Sequence, residues 1–331
     1  MYEHNVLRTE SAIETRGLGK RYGDLWALRD LDLVVPAGTV LGLLGHNGAG
    51  KTTTIRLLTT LSTPTEGSAT VAGHDVATAA GRVRDSIGVA AQAATVDGLL
   101  TGRANLELIG RLYRMSARDA RLRADELLVR FGISDAGDRL TKEYSGGMRR
   151  RLDLAASLMV DPPVIFLDEP TTGLDPTARR DLWNILRKLV AEGTTILLTT
   201  QYLDEADALA DNIVVLDHGR SIAQGTPTEL KSRIGGERLE VAVDDASLLA
   251  PAAEALLPYT DGIPEQDAEA RRLIVPLRGR VRLVDVVRSL DAAGVEAVDV
   301  QRREATLDDV FITLTGTPPA PSEPELAEEA A

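Results

Sequence analysis

Gly45-His46-Asn47-Gly48-Ala49-Gly50-Lys51-Thr52 follows directly on the apolar run Val40-Leu41-Gly42-Leu43-Leu44 and leads into a stretch with helical periodicity, residues 51–61. The octapeptide satisfies G-x-x-x-x-G-K-[ST], and a strand before it with a helix after it is the context that gives the pattern structural meaning. Its glycines let backbone amides turn inward around phosphate oxygens, and the following helix adds its positive N-terminal end. Lys51 supplies a cation, and the Thr52 hydroxyl is a ligand for Mg²⁺. A Gly-rich turn that bound nothing would have no use for Lys followed by Thr. Residues 45–52, with Thr53, are therefore read as the cradle of a nucleotide triphosphate.

Outward from this cradle the chain alternates apolar runs with amphipathic stretches, as an α/β domain does. The runs 40–44, 164–167, 196–198 and 213–216 are short, near-continuous and rich in β-branched or aliphatic residues, which suits strands buried on both faces of a parallel sheet. Helical patterns occupy 103–113, 117–131, 147–159 and 177–191. A second strand group at 12–15, 31–35 and 69–71 is punctuated by Pro36-Ala37-Gly38 and Pro64-Thr65-Glu66-Gly67, and is expected to form a smaller antiparallel sheet. The character changes near Gly235-Gly236, where strands at 238–243, 273–277 and 295–300 and helices at 248–257 and 281–293 suggest an α+β appendage. The expected domains are 11–235, with a helical subdomain at about 93–160, then 236–316, then an acidic tail at 317–331 that carries no positive side chain and is expected to be disordered.

The second half of the nucleotide site lies at Val164-Ile165-Phe166-Leu167-Asp168-Glu169-Pro170, a buried strand ending in two acids. Asp168 is placed to hold the metal through a water, and Glu169 to polarise a water attacking the γ-phosphate. A solvated acidic pair is the bland alternative; the cradle argues against it, since each motif needs the other. The chain has no N-K-x-D motif for reading guanine.

Composition narrows the partners. The chain of 331 residues carries a formal net charge of −13, which argues against nucleic acid, because phosphate backbones select basic surfaces. Cysteine is absent, which excludes thiol chemistry and fits a reducing, cytosolic setting. The opening residues, with Glu3 and Glu10, lack the layout of a secretory signal, and no stretch approaches the ~20 apolar residues that cross a bilayer. No lipid insertion of its own is expected.

Tyr144-Ser145-Gly146-Gly147-Met148 opens the helix that precedes Asp168. It resembles the LSGGQ signature of ABC ATPases, and physically it is a second anion site at a helix N-terminus. The resemblance implies a P-loop NTPase of ABC type: a central, mainly parallel sheet, an antiparallel β subdomain, a helical signature subdomain and a small C-terminal α+β domain. It implies ATP and Mg²⁺ as cofactors and a head-to-tail homodimer in which Ser145, Gly146 and Gly147 act in trans on the ATP held by the other protomer's Lys51. Tyr22 resembles the aromatic that stacks on adenine, though a strand-end core tyrosine would look the same. Gln92 resembles the lid glutamine that touches Mg²⁺ or the attacking water, and Asp175 in Thr172-Gly173-Leu174-Asp175 resembles the aspartate that crosses the dimer interface.

Where most ABC ATPases place a histidine against the γ-phosphate, this chain reads Thr200-Gln201-Tyr202; Gln201 can donate a hydrogen bond but cannot become a cation. That stretch, with Tyr144-Ser145-Gly146-Gly147-Met148, residues 95–102 and Leu307-Asp308-Asp309-Val310-Phe311, resembles the ATPase subunits of daunorubicin/doxorubicin-resistance-type exporters. The resemblance implies a separate multi-spanning permease, a peripheral location at the cytoplasmic face of the cell membrane, and export of a hydrophobic, antibiotic-like compound. Export of a lipid or other substrate, or a non-transport role on ribosomes or DNA, is the alternative. The run Arg149-Arg150-Arg151 either meets a coupling helix or anionic lipid, or is a solvated helix face.

Overall fold

The computed structural model describes residues 11–91, 96–233, 238–260, 262–279, 281–303 and 306–315. The expected tail at 317–331 and Gln92, expected as the lid glutamine, lie outside the described residues.

Two long antiparallel strands begin the chain, β1 (Ser11–Tyr22) and β2 (Leu25–Pro36). In β2 the residues Leu31, Leu33 and Val35 are buried and alternate with exposed Asp32 and Val34, the period of a sheet with one covered face. Then come β3 (Val40–Leu44), α1 (Lys51–Leu58), β4 (Glu66–Val71), β5 (His74–Asp75), α2 (Ala80–Asp85) and β6 (Ile87–Ala90). Three helices come next, α3 (Gly102–Leu112), α4 (Ala117–Arg130) and α5 (Gly146–Ser157). Each opens on a hydroxyl N-cap, Thr101, Ser116 and Ser145, whose oxygen accepts from an amide of the first turn. β7 (Val164–Asp168), α6 (Pro176–Ala191), β8 (Thr195–Thr200), α7 (Leu203–Leu209), β9 (Asn212–Asp217) and β10 (Arg220–Gly225) complete the first part of the chain.

The central sheet has the order β10-β9-β3-β8-β7-β6, with β9, β3, β8, β7 and β6 parallel to their neighbours in turn. β3, β7 and β8 are buried along their whole length, which explains the apolar runs 40–44, 164–167 and 196–198 within them. The antiparallel sheet, order β2-β1-β4-β5, shares one core with α1 and the central sheet, built on Ile13, Leu31, Leu43, Leu57, Phe166 and Leu197. The expected strands and helices of this region all appear, most with ends shifted by a few residues, but β1 and β2 are far longer than the expected 12–15 and 31–35, reaching Tyr22 and starting at Leu25.

The chain divides into two compact units between Gln224 and Gly225. The sequence reading sets the boundary at 235/236; the helix between, α8 (Pro227–Arg233), packs against the last helix of the second unit. That unit continues with β11 (Arg238–Val243), α9 (Leu249–Leu256), β12 (Glu265–Asp267), β13 (Arg272–Pro276), α10 (Leu283–Ala292), β14 (Ala297–Arg303) and α11 (Leu307–Thr315). Its sheet has the order β12-β13-β11-β14. One face, with Leu239, Val241, Leu273 and Val275, is covered by α9 and α10. On the other, Glu240 holds Arg272 and Arg303 from the flanking strands, each at 2.7 Å. Thr306 and Asp309 form a reciprocal N-terminal cap on α11, which gives the Leu307-Asp308-Asp309-Val310-Phe311 motif a structural use.

Candidate functional site

The carboxyl ends of β3, β7 and β8 lie side by side, since Leu44 pairs with Thr200 and Asp168 with Thr199. The segments leaving these strand ends therefore converge: the cradle after β3, Glu169 after β7 and Gln201 after β8. Crevices at this end of a parallel sheet are where α/β folds bind ligands.

The cradle is shaped by close backbone approaches. A Cβ on Gly45 would lie 2.5 Å from the Leu216 carbonyl oxygen, so β9 admits only glycine there. Gly50, at φ 111°, is the N-cap of α1, and a Cβ on it would lie 2.9 Å from the Ala27 carbonyl oxygen. Ala49 turns fully inward, whereas His46, Asn47, Gly48, Gly50, Lys51, Thr52 and Thr53 line a cavity of about 470 Å³.

Lys51 Nζ donates to the Gly45 carbonyl at 2.7 Å and lies 3.4 Å from Glu169 Oε1. Burial holds this ammonium below the usual lysine range, while the Glu169 and Asp168 carboxylates pull the other way. Asp168 is buried and accepts the Thr199 hydroxyl at 2.6 Å on Oδ1; the Thr52 hydroxyl stands 3.5 Å from the same oxygen. Glu169 has a left-handed backbone, φ 47°, uncommon for a residue with a side chain. Its amide donates to the Thr199 carbonyl at 3.1 Å, which holds that conformation. The reversal turns the Glu169 side chain into the same cavity as Lys51.

The hydroxyl of Thr52 and the carboxylate of Asp168 make an all-oxygen set beside a phosphate cradle, which fits a hard cation such as Mg²⁺. Tyr22 sits at the end of β1, about half exposed, with the Lys20 ammonium 5.1 Å from its ring centre. It does not line the cavity; its pairing partner Leu25, and Trp26, do. Ser145 and Gly146 are exposed, and Ser145 caps α5 through the Met148 amide at 3.3 Å. Neither they nor Gly147 line the cavity of their own chain. Asp175, also exposed, accepts from the Thr177 and Ala178 amides and so caps α6.

Several participants escaped the sequence reading. Trp26 and His218 line the cavity, and Thr199 carries Asp168. Arg150 corrects the expectation of a solvated or membrane-facing arginine run. Its guanidinium donates to the carbonyls of Ala91 at 2.7 Å, Pro170 at 2.8 Å and Asp168 at 3.1 Å, tying the signature helix α5 to the ends of β6 and β7. Burial lowers its pKa from the ordinary arginine value. Glu205 on α7 is fully buried and lifted by burial to about 7; the Trp183 indole donates to it at 3.3 Å.

The ABC transporter family profile matches residues 28–172. A daunorubicin resistance ATP-binding protein of Streptomyces coeruleorubidus is 55% identical over 93% of this chain and 96% of its own length. The daunorubicin/doxorubicin resistance ATP-binding protein of Streptomyces peucetius is 51% identical over 93% of each chain. A Nod factor export ATP-binding protein of Ralstonia nicotianae is 40% identical over 92% of this chain and 94% of its own. Among solved structures, a Clostridium perfringens component of an ABC transporter complex superposes with a TM-score of 0.63 at 27% identity, over 67% of this chain and 91% of that one. An ATP-binding cassette solved as a post-hydrolysis dimer bound to ADP and phosphate superposes with a TM-score of 0.59 at 26% identity, over 65% of this chain and 98% of that one.

Proposed function

The chain belongs to the ABC transporter family, as an ATP-hydrolysing subunit of the daunorubicin/doxorubicin-resistance type, and from that premise we propose which residues do the work and with what partners. The observation that carries the reading is the convergence of Lys51, Asp168 and Glu169 at one end of the central sheet, with Lys51 and Glu169 3.4 Å apart in a cavity lined by the cradle.

ATP enters with its phosphates against the amides of the cradle and its adenine against the exposed ring of Tyr22. Lys51 leaves Glu169 for the β- and γ-phosphates. Thr52 and Asp168, with Gln92, would hold Mg²⁺, which would supply positive charge against the charge that develops on the phosphates. Glu169, released from Lys51, accepts a hydrogen bond from the attacking water and takes its proton as the water oxygen bonds to the γ-phosphorus and the bond to ADP breaks. Gln201 donates to a γ-phosphate oxygen. ATP and water thus yield ADP and phosphate.

Ser145 and the amides of Gly146 and Gly147 act across a homodimer, on the ATP held by the partner protomer. The exposure of Ser145 and Gly146, and the absence of all three from the cavity of their own chain, support this reading. Asp175 lies at that interface. ATP closes the dimer and hydrolysis opens it, and a separate multi-spanning permease converts the motion into export of a hydrophobic, antibiotic-like compound. Among the described residues no helix is long and apolar enough to cross a membrane, which fits a peripheral subunit at the cytoplasmic face. Isolating the tagged chain from membranes tests the assignment: a multi-spanning protein should come with it in stoichiometric amount and stimulate its ATPase. Recovery of ribosomes, or of no membrane protein, overturns it.

A further inference from the structure

β9 runs parallel to β3 with Leu44 opposite Val215, so the second residue of the cradle, His46, comes level with the last residue of β9, Asp217. His46 Nε2 lies 2.8 Å from Asp217 Oδ1, and His218 Nε2 lies 3.9 Å from the same oxygen. One ligand atom from each of the three residues falls within 4.8 Å of the others. The two imidazoles meet edge to face, with ring centres 5.4 Å apart, and both line the nucleotide cavity.

Two features go beyond proximity. First, both ring nitrogens of His46 face acceptors: Nδ1 is 2.7 Å from the Asn47 carbonyl oxygen, and Nε2 faces the Asp217 carboxylate. A neutral imidazole has one N–H, so with Nδ1 donating to Asn47 a lone pair on Nε2 is aimed at a carboxylate oxygen. The other tautomer moves the lone pair to face the Asn47 carbonyl instead, so a second proton or a metal ion on Nε2 is what satisfies both sides. A histidine whose Nδ1–H is fixed by a carbonyl is also the usual form of a metal ligand. Second, the turn carrying Asp217 and His218 is held in place before any ion arrives. His218 is in the left-handed region at φ 44°, the Gly219 amide donates to the Ala49 carbonyl at 3.0 Å, and the Arg29 amide donates to the Gly219 carbonyl at 2.7 Å.

We propose that His46, Asp217 and His218 form a binding site for a zinc-class divalent ion at the wall of the nucleotide cavity, clipping the phosphate cradle to the turn after β9. Two imidazole nitrogens and one carboxylate oxygen suit Zn²⁺ with water in the fourth position, and they select against Mg²⁺, which takes all-oxygen sets. Tetrahedral ligands at zinc distances stand about 3.3 Å from one another. The 2.8 Å pair need only open slightly and the 3.9 Å pair close, which the largely exposed His218 ring can do by rotation.

The test is equilibrium binding of Zn²⁺ to the tag-free full-length chain without nucleotide, in excess Mg²⁺, so that its outcome does not depend on the ATPase assignment. One equivalent should bind with a micromolar or tighter dissociation constant, and Co²⁺ in its place should show the visible absorption of a low-coordinate site rather than of the hexaaqua ion. His218→Asn keeps a residue that tolerates left-handed backbone, and Asp217→Asn keeps the shape of the carboxylate. Each should weaken Zn²⁺ by more than about tenfold, with an unchanged thermal melt in metal-free buffer. Failure of the wild-type chain to bind at micromolar Zn²⁺, or unchanged affinity in both variants, overturns the proposal.

Discussion

Lys51 and Glu169 form an ion pair of 3.4 Å with both side chains almost wholly removed from water. The cradle's cation and the carboxylate set to polarise water therefore neutralise each other until a phosphate separates them. A triphosphate can outcompete a single carboxylate for the ammonium, so on the proposed mechanism nucleotide binding would free Glu169 to act on water. The arrangement predicts that Glu169→Gln separates binding from turnover. Hydrolysis should fall by at least about 10²-fold, the usual worth of a positioned base. ATP affinity should hold or rise, since Lys51 no longer has a carboxylate to leave. Steady-state ATPase and equilibrium ATP binding check both; hydrolysis at the wild-type rate would remove Glu169 from the base role.

Arg150 makes three charge-assisted hydrogen bonds to the carbonyls of Ala91, Asp168 and Pro170. Arg150→Ala leaves those acceptors facing a void at the end of β7. The expected loss of stability is about 3 kcal/mol, read from urea denaturation. Because Asp168 and Pro170 flank Glu169, ATPase should fall as well, even in protein folded at low temperature. Arg150→Lys should restore little, because one ammonium cannot span the planar fork's three partners.

Arg150 also shows where sequence legibility ends. The cradle, the acidic strand end and the cap of the signature helix are each encoded within a few neighbouring residues, so β3 into α1, β7 and the Ser145 cap could be read directly. An arginine run carries no mark of which member is buried, and charged side chains are exposed by default. The acceptors that bury Arg150 belong to strand ends that become neighbours only when β6 and β7 pair. Thr199 beneath Asp168, and Asp217 opposite His46, are likewise products of strand register. The boundary between the units obeys the same rule, since α8 and α11 meet across most of the second unit's sequence.

Tyr22 offers adenine an exposed ring beside Leu25 and Trp26, which line the cavity. Ring stacking of ~1–2 kcal/mol predicts that Tyr22→Ala weakens ATP about tenfold, with Tyr22→Phe close to wild type. Stacking does not read base edges, so GTP should weaken by the same factor. Fluorescent-nucleotide titrations measure all of these; an effect of Tyr22→Ala below twofold would move the adenine contact to another residue, with Trp26 next to be tested.

Gln201 comes directly after β8, at the end of the sheet where Asp168 and the cradle lie, and its amide has no titration in the working range. Turnover of the wild type should therefore show no step from this position. Gln201→His should add one near the ordinary histidine pKa of about 6.5, with the protonated ring the better partner for a phosphate oxygen. Comparing kcat against pH for the two proteins isolates the added ionisation; superimposable profiles would place residue 201 outside phosphate contact.

Glu205 is fully buried, and burial raises its carboxyl from 4.5 to about 7. In the unfolded chain the group ionises near its ordinary value, so between pH 4.5 and 7 the folded state binds a proton that the unfolded state has released. Stability must then fall as pH rises through that window, reaching its full loss above pH 7, where the buried group is ionised in both states. The shift corresponds to at most about 3 kcal/mol. Glu205→Gln, which cannot ionise and keeps an oxygen for the Trp183 indole, should be nearly as stable as wild type at pH 4.5 and more stable by up to that amount at pH 8. Urea midpoints at the two pH values decide the matter, and equal differences at both would mean that Glu205 titrates no differently in the folded protein than in the unfolded chain.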